Sequence, residues 1–324
     1  MSSSLLHPPA HLPPSVALSL SQQAPALLQS IPSAISSYSV SSLWSAAETP
    51  ELWTTYENLM LSCLRTGDEL SASQCLQRLT ERFGADNERL MALRGVFQEA
   101  RASDDAALNN ILKEYENILA QNPGNMPVSK RRIALLKSLD KIPEAIIALN
   151  KFLDASPTDA EAWAELSDLY VSQGLYQQAI FALEEVLLVT PYAWNIHARL
   201  GEVQYMAATT GESGADKYLA EAFRRFCRSI ELCDDYLRGY YGLKLTTNRL
   251  LATQSQNSRQ SKGDVGVPPP NIQAVERLNE TATAKLSEIV RRNVGGEAGW
   301  GGYDKAEVIA AKALLDSETA KITR

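Results

Sequence analysis

The feature that most constrains this chain is a 34-residue unit that contains two amphipathic helical runs. Trp163, Leu166 and Tyr170 recur at spacings of three and four, which places them on one face of a helix. Gly174 interrupts this run, and a second periodic run follows it and ends at Pro191. Proline ends a helix because it has no backbone N–H to donate. The pattern therefore predicts an antiparallel helix hairpin.

The same positions recur along the chain. Pro191 has a counterpart 34 residues earlier in Pro157, and Ala179 has one in Ala145. A 34-residue period of helix hairpins is typical of tetratricopeptide repeats. The sequence predicts an all-α fold, a superhelix of antiparallel hairpins with an extended concave face that binds peptides or protein segments. The structural repeat positions are Trp53, Ala145, Pro157, Trp163, Leu166, Tyr170, Gly174, Ala179, Pro191, Gly201 and Gly242.

Other units keep part of this pattern. The earliest begins near Trp53, and the later ones repeat a step from a large residue to glycine at Gly201 and Gly242. We count about five repeats followed by the first helix of a capping hairpin. The predicted organisation is a disordered Ser/Pro-rich segment (1–47), the repeat superhelix (48–251), a flexible linker (252–270), a capping helix (271–294) and a Gly-rich breaker with a short terminal helix (295–324).

The first 47 residues differ from the rest in composition. They contain 14 serines and 6 prolines, and no Lys or Arg occurs before Arg65. A segment of this kind buries too little apolar surface to offset the entropy of ordering it, so we expect disorder. Residues 27–31 and 35–44 are the stretches apolar enough to dock as short elements. The missing basic charge argues against a signal peptide or a mitochondrial presequence, and no apolar run reaches the roughly 20 residues that span a bilayer.

Charge and composition exclude several function classes. The net charge of −7 and the pI near 5.2 argue against a protein that binds nucleic acid by neutralising phosphates, and against a polybasic membrane-surface protein. Three histidines and four cysteines leave little material for a metal site. His197 takes the repeat position of Trp163, so we expect a packed core histidine. No catalytic residue, cofactor or metal is predicted. The four cysteines form no Cys-x-x-Cys pair, and we expect them to be apolar core residues in a reducing compartment: Cys63, Cys75, Cys227 and Cys233.

Charged and polar residues at groove-facing repeat positions form the candidate partner-binding site. Lys130 and Lys137 are seven residues apart and so share a helix face. There they would meet an acidic tail or a peptide carboxylate. A solvated helix face is the alternative for this charge run. The full set predicted on the concave face is Lys130, Arg131, Lys137, Asp168, Glu202 and Tyr205.

Residues outside the repeat consensus carry a closer resemblance. The segments are Trp53-Thr-Thr-Tyr-Glu57, Cys75-Leu-Gln-Arg-Leu79, Lys130-Arg-Arg-Ile-Ala134, Glu161-Ala-Trp-Ala-Glu-Leu166 and Phe181-Ala-Leu-Glu-Glu185. Together they resemble the family of subunit 2 of the endoplasmic reticulum (ER) membrane protein complex. The resemblance extends over about residues 53–251, or about 60% of the chain.

The resemblance implies a non-catalytic scaffold that is peripheral to the ER membrane, on its cytosolic face. In that family the repeats clasp the cytosolic tails of membrane-embedded subunits and a second soluble subunit. The assembled complex inserts tail-anchored and multi-spanning proteins into the ER membrane. The implied partners are therefore other subunits of the complex, with no nucleic acid, no cofactor and no membrane span of this chain's own.

Two alternatives remain open at this point. A tetratricopeptide adaptor or co-chaperone would clamp a C-terminal carboxylate with Lys and Asn at fixed positions of a first helix. Thr54 with Asn58, and Lys130 with Ala134, do not complete that pair. A helical-repeat subunit of an enzyme would place acids or histidines together on one groove face, and the sequence pattern indicates no such cluster.

Overall fold

The computed structural model describes residues 5–8, 12–30, 49–210, 214–257 and 270–322, which form fifteen α-helices and no strand. The predicted all-α class of helix hairpins is confirmed. The chain divides into two compact units, Met1–Ala148 and Leu149–Arg324. The helices are α1 (Pro14–Ser21), α2 (Ala24–Ser30), α3 (Pro50–Thr66), α4 (Glu69–Phe83), α5 (Glu88–Arg101), α6 (Asp105–Gln121), α7 (Met126–Ser138), α8 (Ile142–Ala155), α9 (Ala160–Ser172), α10 (Tyr176–Val189), α11 (Trp194–Thr209), α12 (Ala215–Leu232), α13 (Leu237–Asn257), α14 (Ile272–Val294) and α15 (Lys305–Ile322).

Local signals in the sequence explain where many helices begin and end. Asp159 and Asn125 each precede a helix and accept a hydrogen bond from a first-turn amide, that of Ala162 at 3.0 Å in the first case. Such a cap satisfies an amide that has no partner within the helix. Gly67 and Gly174 follow helices in the left-handed conformation, with φ of 78° and 73°, which glycine adopts without steric cost.

Helices α1 and α2 contradict one prediction. The disorder predicted over residues 1–47 is wrong for residues 12–30, which form these two helices. Leu20 and Ala24 are fully buried, and Leu28 is nearly so. Ala24 and Leu28 are four residues apart and share a face of α2, and Pro14 lies in the first turn of α1, where its missing N–H costs nothing. The rest of the segment, residues 1–4, 9–11 and 31–47, lies outside the described residues.

The partners of this N-terminal segment are α3 and α4. Its leucines join one apolar cluster with Leu59, Met60 and Cys63. Asn58 donates a hydrogen bond to the Leu5 carbonyl at 2.8 Å, and Arg78 donates one to the Leu28 carbonyl at 2.6 Å. The first repeat therefore has its own amphipathic cap, which fits the need of a repeat array to cover its terminal apolar face.

The C-terminal part of the second unit differs from the prediction in one helix. Helix α13 continues to Asn257, so the linker predicted at 252–270 is wrong for residues 252–257, and residues 258–269 lie outside the described residues. Helix α13 packs against α14, the next helix along the chain. Helices α14 and α15 occupy the regions predicted as a capping helix and a terminal helix.

Candidate protein-binding grooves

The repeat positions of the second unit pack as a helix hairpin. Leu166 and Ala179 are buried, and the buried Ser167 hydroxyl donates to the Ala179 carbonyl at 3.0 Å. The Trp163 indole donates to the Pro157 carbonyl at 2.8 Å. This bond links the residue that ends one repeat to the first helix of the next.

His197 is buried, as the sequence predicts. Its Nε2 lies 3.0 Å from the Pro191 carbonyl oxygen, a contact equivalent to that of Trp163 one repeat earlier. Burial lowers the pKa of the imidazole, the hydrogen bond to Pro191 opposes this effect, and Arg225 and Arg228 lower the pKa further. The ring is therefore a neutral core group at pH 7.

Two of the predicted site residues, Asp168 and Glu202, are joined by one arginine in the second unit. Arg199 donates a hydrogen bond to Asp168 at 2.8 Å and another to Glu202 at 3.0 Å. Burial disfavours the charge on this guanidinium, but the bonds to the two carboxylates outweigh that effect and raise the pKa of Arg199. Asp168 and Glu202 are 34 residues apart, at equivalent repeat positions, so one arginine between them reaches both. The repeat pattern predicts Asp168 and Glu202 for the site but does not indicate Arg199.

A groove of about 490 Å³ opens beside these residues, between α11, α13 and α15. We call it the C-terminal groove. Glu202 and Tyr205, both predicted for the site, line it, whereas Asp168 contacts it only through Arg199. Its lining consists of Arg199, Glu202, Tyr205, Met206, Phe226, Leu237, Arg238, Tyr241, Gly242, Leu245, Ala306, Glu307 and Ala310.

Two glycines let a residue of α12 reach this groove. The Phe226 ring lies between Gly201 of α11 and Gly242 of α13. A Cβ atom at Gly201 would lie 3.1 Å from the ring, and one at Gly242 would overlap it. The glycines predicted as repeat positions are therefore needed for this close approach, and Phe226 contributes to the groove lining because they carry no side chain.

A second groove, of about 460 Å³, lies in the first unit between α3, α4 and α5. Trp53, a predicted repeat position, lines it and packs edge-to-face against Phe83, with ring centroids 5.2 Å apart. Arg89 and Glu57, also in the lining, form an ion pair of 2.8 Å. This groove combines aromatic surface with paired charges.

The basic cluster of α7 separates into two kinds of residue. Lys130 and Lys137 are exposed. Arg131, grouped with them as a partner-binding residue, instead binds Glu99 through two nitrogens, with Nε at 2.8 Å. The Tyr115 hydroxyl donates to the same carboxylate at 2.5 Å. Arg131 is therefore corrected to a residue that joins α7 to α5.

Glu99 is largely buried in this network, since its side chain is 8% exposed. The hydrogen bond to Glu99 raises the pKa of Arg131 above its usual value, despite the opposing effect of burial.

The residues predicted for one concave face are divided between the two units. Lys130 and Lys137 lie in the first unit, and Asp168, Glu202 and Tyr205 lie in the second.

The cysteines and histidines that the structure describes form no further site. Cys63 and Cys75 are buried, and burial raises the pKa of both thiols to about 12. All four cysteines belong to the described residues, and each is a free thiol. Within the described ranges, no group of three His, Cys, Asp or Glu side chains is arranged to hold a metal ion. None of the helices in those ranges has the length and apolar character needed to cross a bilayer.

Comparison with known proteins agrees with this architecture. The model of the EMC2 TPR-like repeat domain matches residues 76–216. The TPR repeat protein oca3 of Schizosaccharomyces pombe is 35% identical over 201 residues, which cover 62% of this chain and 68% of that protein. ER membrane protein complex subunit 2 of Xenopus tropicalis is 30% identical over 217 residues, covering 66% and 69%.

Among solved structures, a tetratricopeptide repeat protein from Parabacteroides merdae matches with a TM-score of 0.41 and 19% identity, over 82% of this chain and 97% of that one. The hairpins, their period and their grooves define this chain as a tetratricopeptide-repeat protein. The relatives described above identify one family within that class. The chain belongs to the family of ER membrane protein complex subunit 2.

Proposed function

We propose that this protein is a non-catalytic scaffold subunit of an ER membrane protein complex. It organises the cytosolic part of the complex by binding tails of membrane-embedded subunits and a second soluble subunit. In this way it supports the insertion of tail-anchored and multi-spanning proteins into the ER membrane. The protein is peripheral, on the cytosolic face.

The observation that carries this proposal is family membership over about two thirds of both chains compared. The two grooves support it, because each combines apolar lining with polar groups in the volume range of about 300–1,000 Å³ typical of binding sites. Lys130 and Lys137 are exposed on α7, which suits contact with an acidic segment.

A depletion experiment tests the role in insertion. Cells depleted of this chain should insert a tail-anchored reporter into the ER less efficiently, and re-expression of the chain should restore insertion. A reporter with a cleavable signal peptide serves as the control and should be unaffected. Unchanged insertion of the tail-anchored reporter after complete depletion would refute the role.

Fractionation tests the location separately. The chain should sediment with ER membranes and be released by alkaline carbonate, because a peripheral protein is held by other proteins rather than by a span. Protease added to intact ER vesicles should digest it if it lies on the cytosolic face. Protection from the protease would contradict that placement.

A further inference from the structure

We propose that the C-terminal groove binds an uncharged, apolar peptide segment of a partner protein, and that α15 is the fixed wall against which this segment packs. The inference rests on the proposed scaffold function and specifies the chemistry of the segment bound at this place. It differs from the acidic ligand expected for Lys130 and Lys137.

The lining favours apolar side chains. Tyr205 and Tyr241 provide large amphipathic surfaces, and Met206 is an unbranched side chain that adapts to irregular partners. Phe226 is fully buried beneath these residues and supports them from below. Burial of apolar surface stabilises a complex by roughly 25 cal/mol per Å² before the cost of association. A segment with one or two large apolar residues gains most here.

The charges of the groove argue against a charged ligand. Each of the four charged lining residues already belongs to an ion pair: Arg199 bonds Glu202 at 3.0 Å, and Arg238 bonds Glu307 at 2.6 Å. Asp168 provides a further carboxylate to Arg199. A charged side chain that entered the groove would lose hydration, and each lining charge already has a partner, so little attraction would compensate for that loss. The paired lining charges thus favour a neutral segment.

Helix α15 is held in place as one side of the groove. Val308 and Ala311 are buried against the second unit. The Arg238–Glu307 pair joins α13 to α15, and the Tyr303 hydroxyl donates to the Asp235 carbonyl at 3.0 Å. These contacts form the wall before any ligand arrives, which lowers the entropic cost of binding.

The side of α15 that lines the groove carries small residues. Ala306 and Ala310 are one turn apart and both line the groove, so a peptide can lie close to the helix. Lys312 is also exposed on α15, but it lies on the opposite side of the helix from Ala310 and does not line the groove. Tryptophan at position 310 should fill the groove, whereas tryptophan at position 312 should not. This pair provides a controlled test.

The experiment measures binding of labelled, end-blocked pentapeptides to the purified full-length chain by fluorescence anisotropy. The neutral probes are Gly-Leu-Xaa-Leu-Gly with Leu, Ile, Phe or Tyr at the centre, and the charged probes carry Asp or Lys there. At least one neutral probe should bind at least tenfold more tightly than both charged probes. Ala310→Trp should weaken that binding at least tenfold, and Lys312→Trp should change it less than twofold. Circular dichroism should show equal helix content in both variants.

Three results would overturn the inference. They are equal affinity for neutral and charged probes, no binding of any neutral probe at millimolar concentration, and unaltered binding by a folded Ala310→Trp variant. If the Ala310→Trp variant loses helix content, crosslinking of a photoreactive peptide to the wild-type chain replaces the variant as the test. A benzoyl-phenylalanine at the centre of the peptide should crosslink to α11, α13 or α15, and crosslinks confined to other helices would also overturn the inference.

Failure of the scaffold function gives a different result. If the wild-type chain associates with no membrane subunit, the proposed function fails whatever the peptides do. If it associates with the complex but does not discriminate between the probes, only the assignment of the C-terminal groove fails.

Discussion

The Phe226 ring occupies the space where a Cβ atom on Gly242 would lie. The two residues belong to consecutive helices, α12 and α13, and Gly201 of α11 contacts the same ring. A repeated glycine within helices would by itself weaken them, because glycine costs about 1 kcal/mol relative to alanine in a helix interior. Here the cost is offset by close packing of three helices around a fully buried aromatic ring.

Substitution Gly242→Ala should therefore destabilise the protein. Alanine improves helix propensity, but its methyl group overlaps Phe226, and overpacking of this kind costs about 1–3 kcal/mol. Urea denaturation followed by circular dichroism measures the effect. Gly302→Ala is the control, because a Cβ atom there meets no other atom within 4 Å. The double variant with Phe226→Leu should recover part of the loss, and a Gly242→Ala variant as stable as wild type would contradict the packing described.

The ion pair of α5 and α7 should be sensitive to removal of Arg131, because its partner Glu99 is largely buried. Arg131→Met leaves Glu99 with the Tyr115 hydroxyl but without its guanidinium, which should lower the free energy of unfolding by about 1–3 kcal/mol. Arg131→Met combined with Glu99→Leu should restore most of this stability. Arg101, whose side chain is 56% exposed in its pair with Glu69, provides the control: Arg101→Met should cost about 0–1 kcal/mol. Equal effects at both arginines would rule out the buried role of Arg131.

The N-terminal cap should protect two thiols. Leu20 is fully buried in the cluster that contains Cys63 and Cys75, whereas Leu18 of the same helix is 50% exposed. Leu20→Asp should displace α1 and accelerate labelling of the cysteines by a thiol reagent at least tenfold, as read by mass spectrometry of the modified peptides. Leu18→Asp should leave the labelling rate unchanged. Slow labelling of both thiols in a Leu20→Asp variant would show that the cap does not shield them.

His197 should make stability depend on pH. Its folded-state pKa lies below the usual value near 6.5, so the unfolded chain binds a proton at this site more readily than the folded one. The resulting loss of folding stability is absent above about pH 7, grows as the pH falls through 6.5, and is complete below the folded-state pKa. The difference in unfolding free energy between wild type and His197→Gln should thus shift against wild type from pH 7.5 to 5. A difference that is constant over this range would contradict a buried, neutral His197.

The helices of the repeats could be predicted from the sequence, because Trp163, Leu166 and Tyr170 mark a helix face and Gly174 ends it. Helices α1 and α2 could not, since serine and proline content obscured the spacing of Leu20 and its neighbours. The ion pair of Arg131 with Glu99 could not be predicted from the sequence either. Its partner Glu99 is 32 residues away in sequence, and only the packing of α5 on α7 brings the two together.

The groove was predictable only in part. Glu202 and Tyr205 follow from the repeat register, and both line the C-terminal groove. The contribution of α15 depends on how the C-terminal segment returns to α13, through contacts such as Arg238 with Glu307, which are 69 residues apart. A periodic pattern contains no information about that return.

Co-purification tests the central claim most directly. The tagged full-length chain is isolated from detergent-solubilised ER membranes, and the proteins bound to it are identified and quantified by mass spectrometry against an untagged control. The scaffold function predicts recovery of several membrane-embedded subunits and a second soluble subunit in constant proportion to the tagged chain. Recovery of the tagged chain alone, at the level of the control for every membrane subunit, would contradict it.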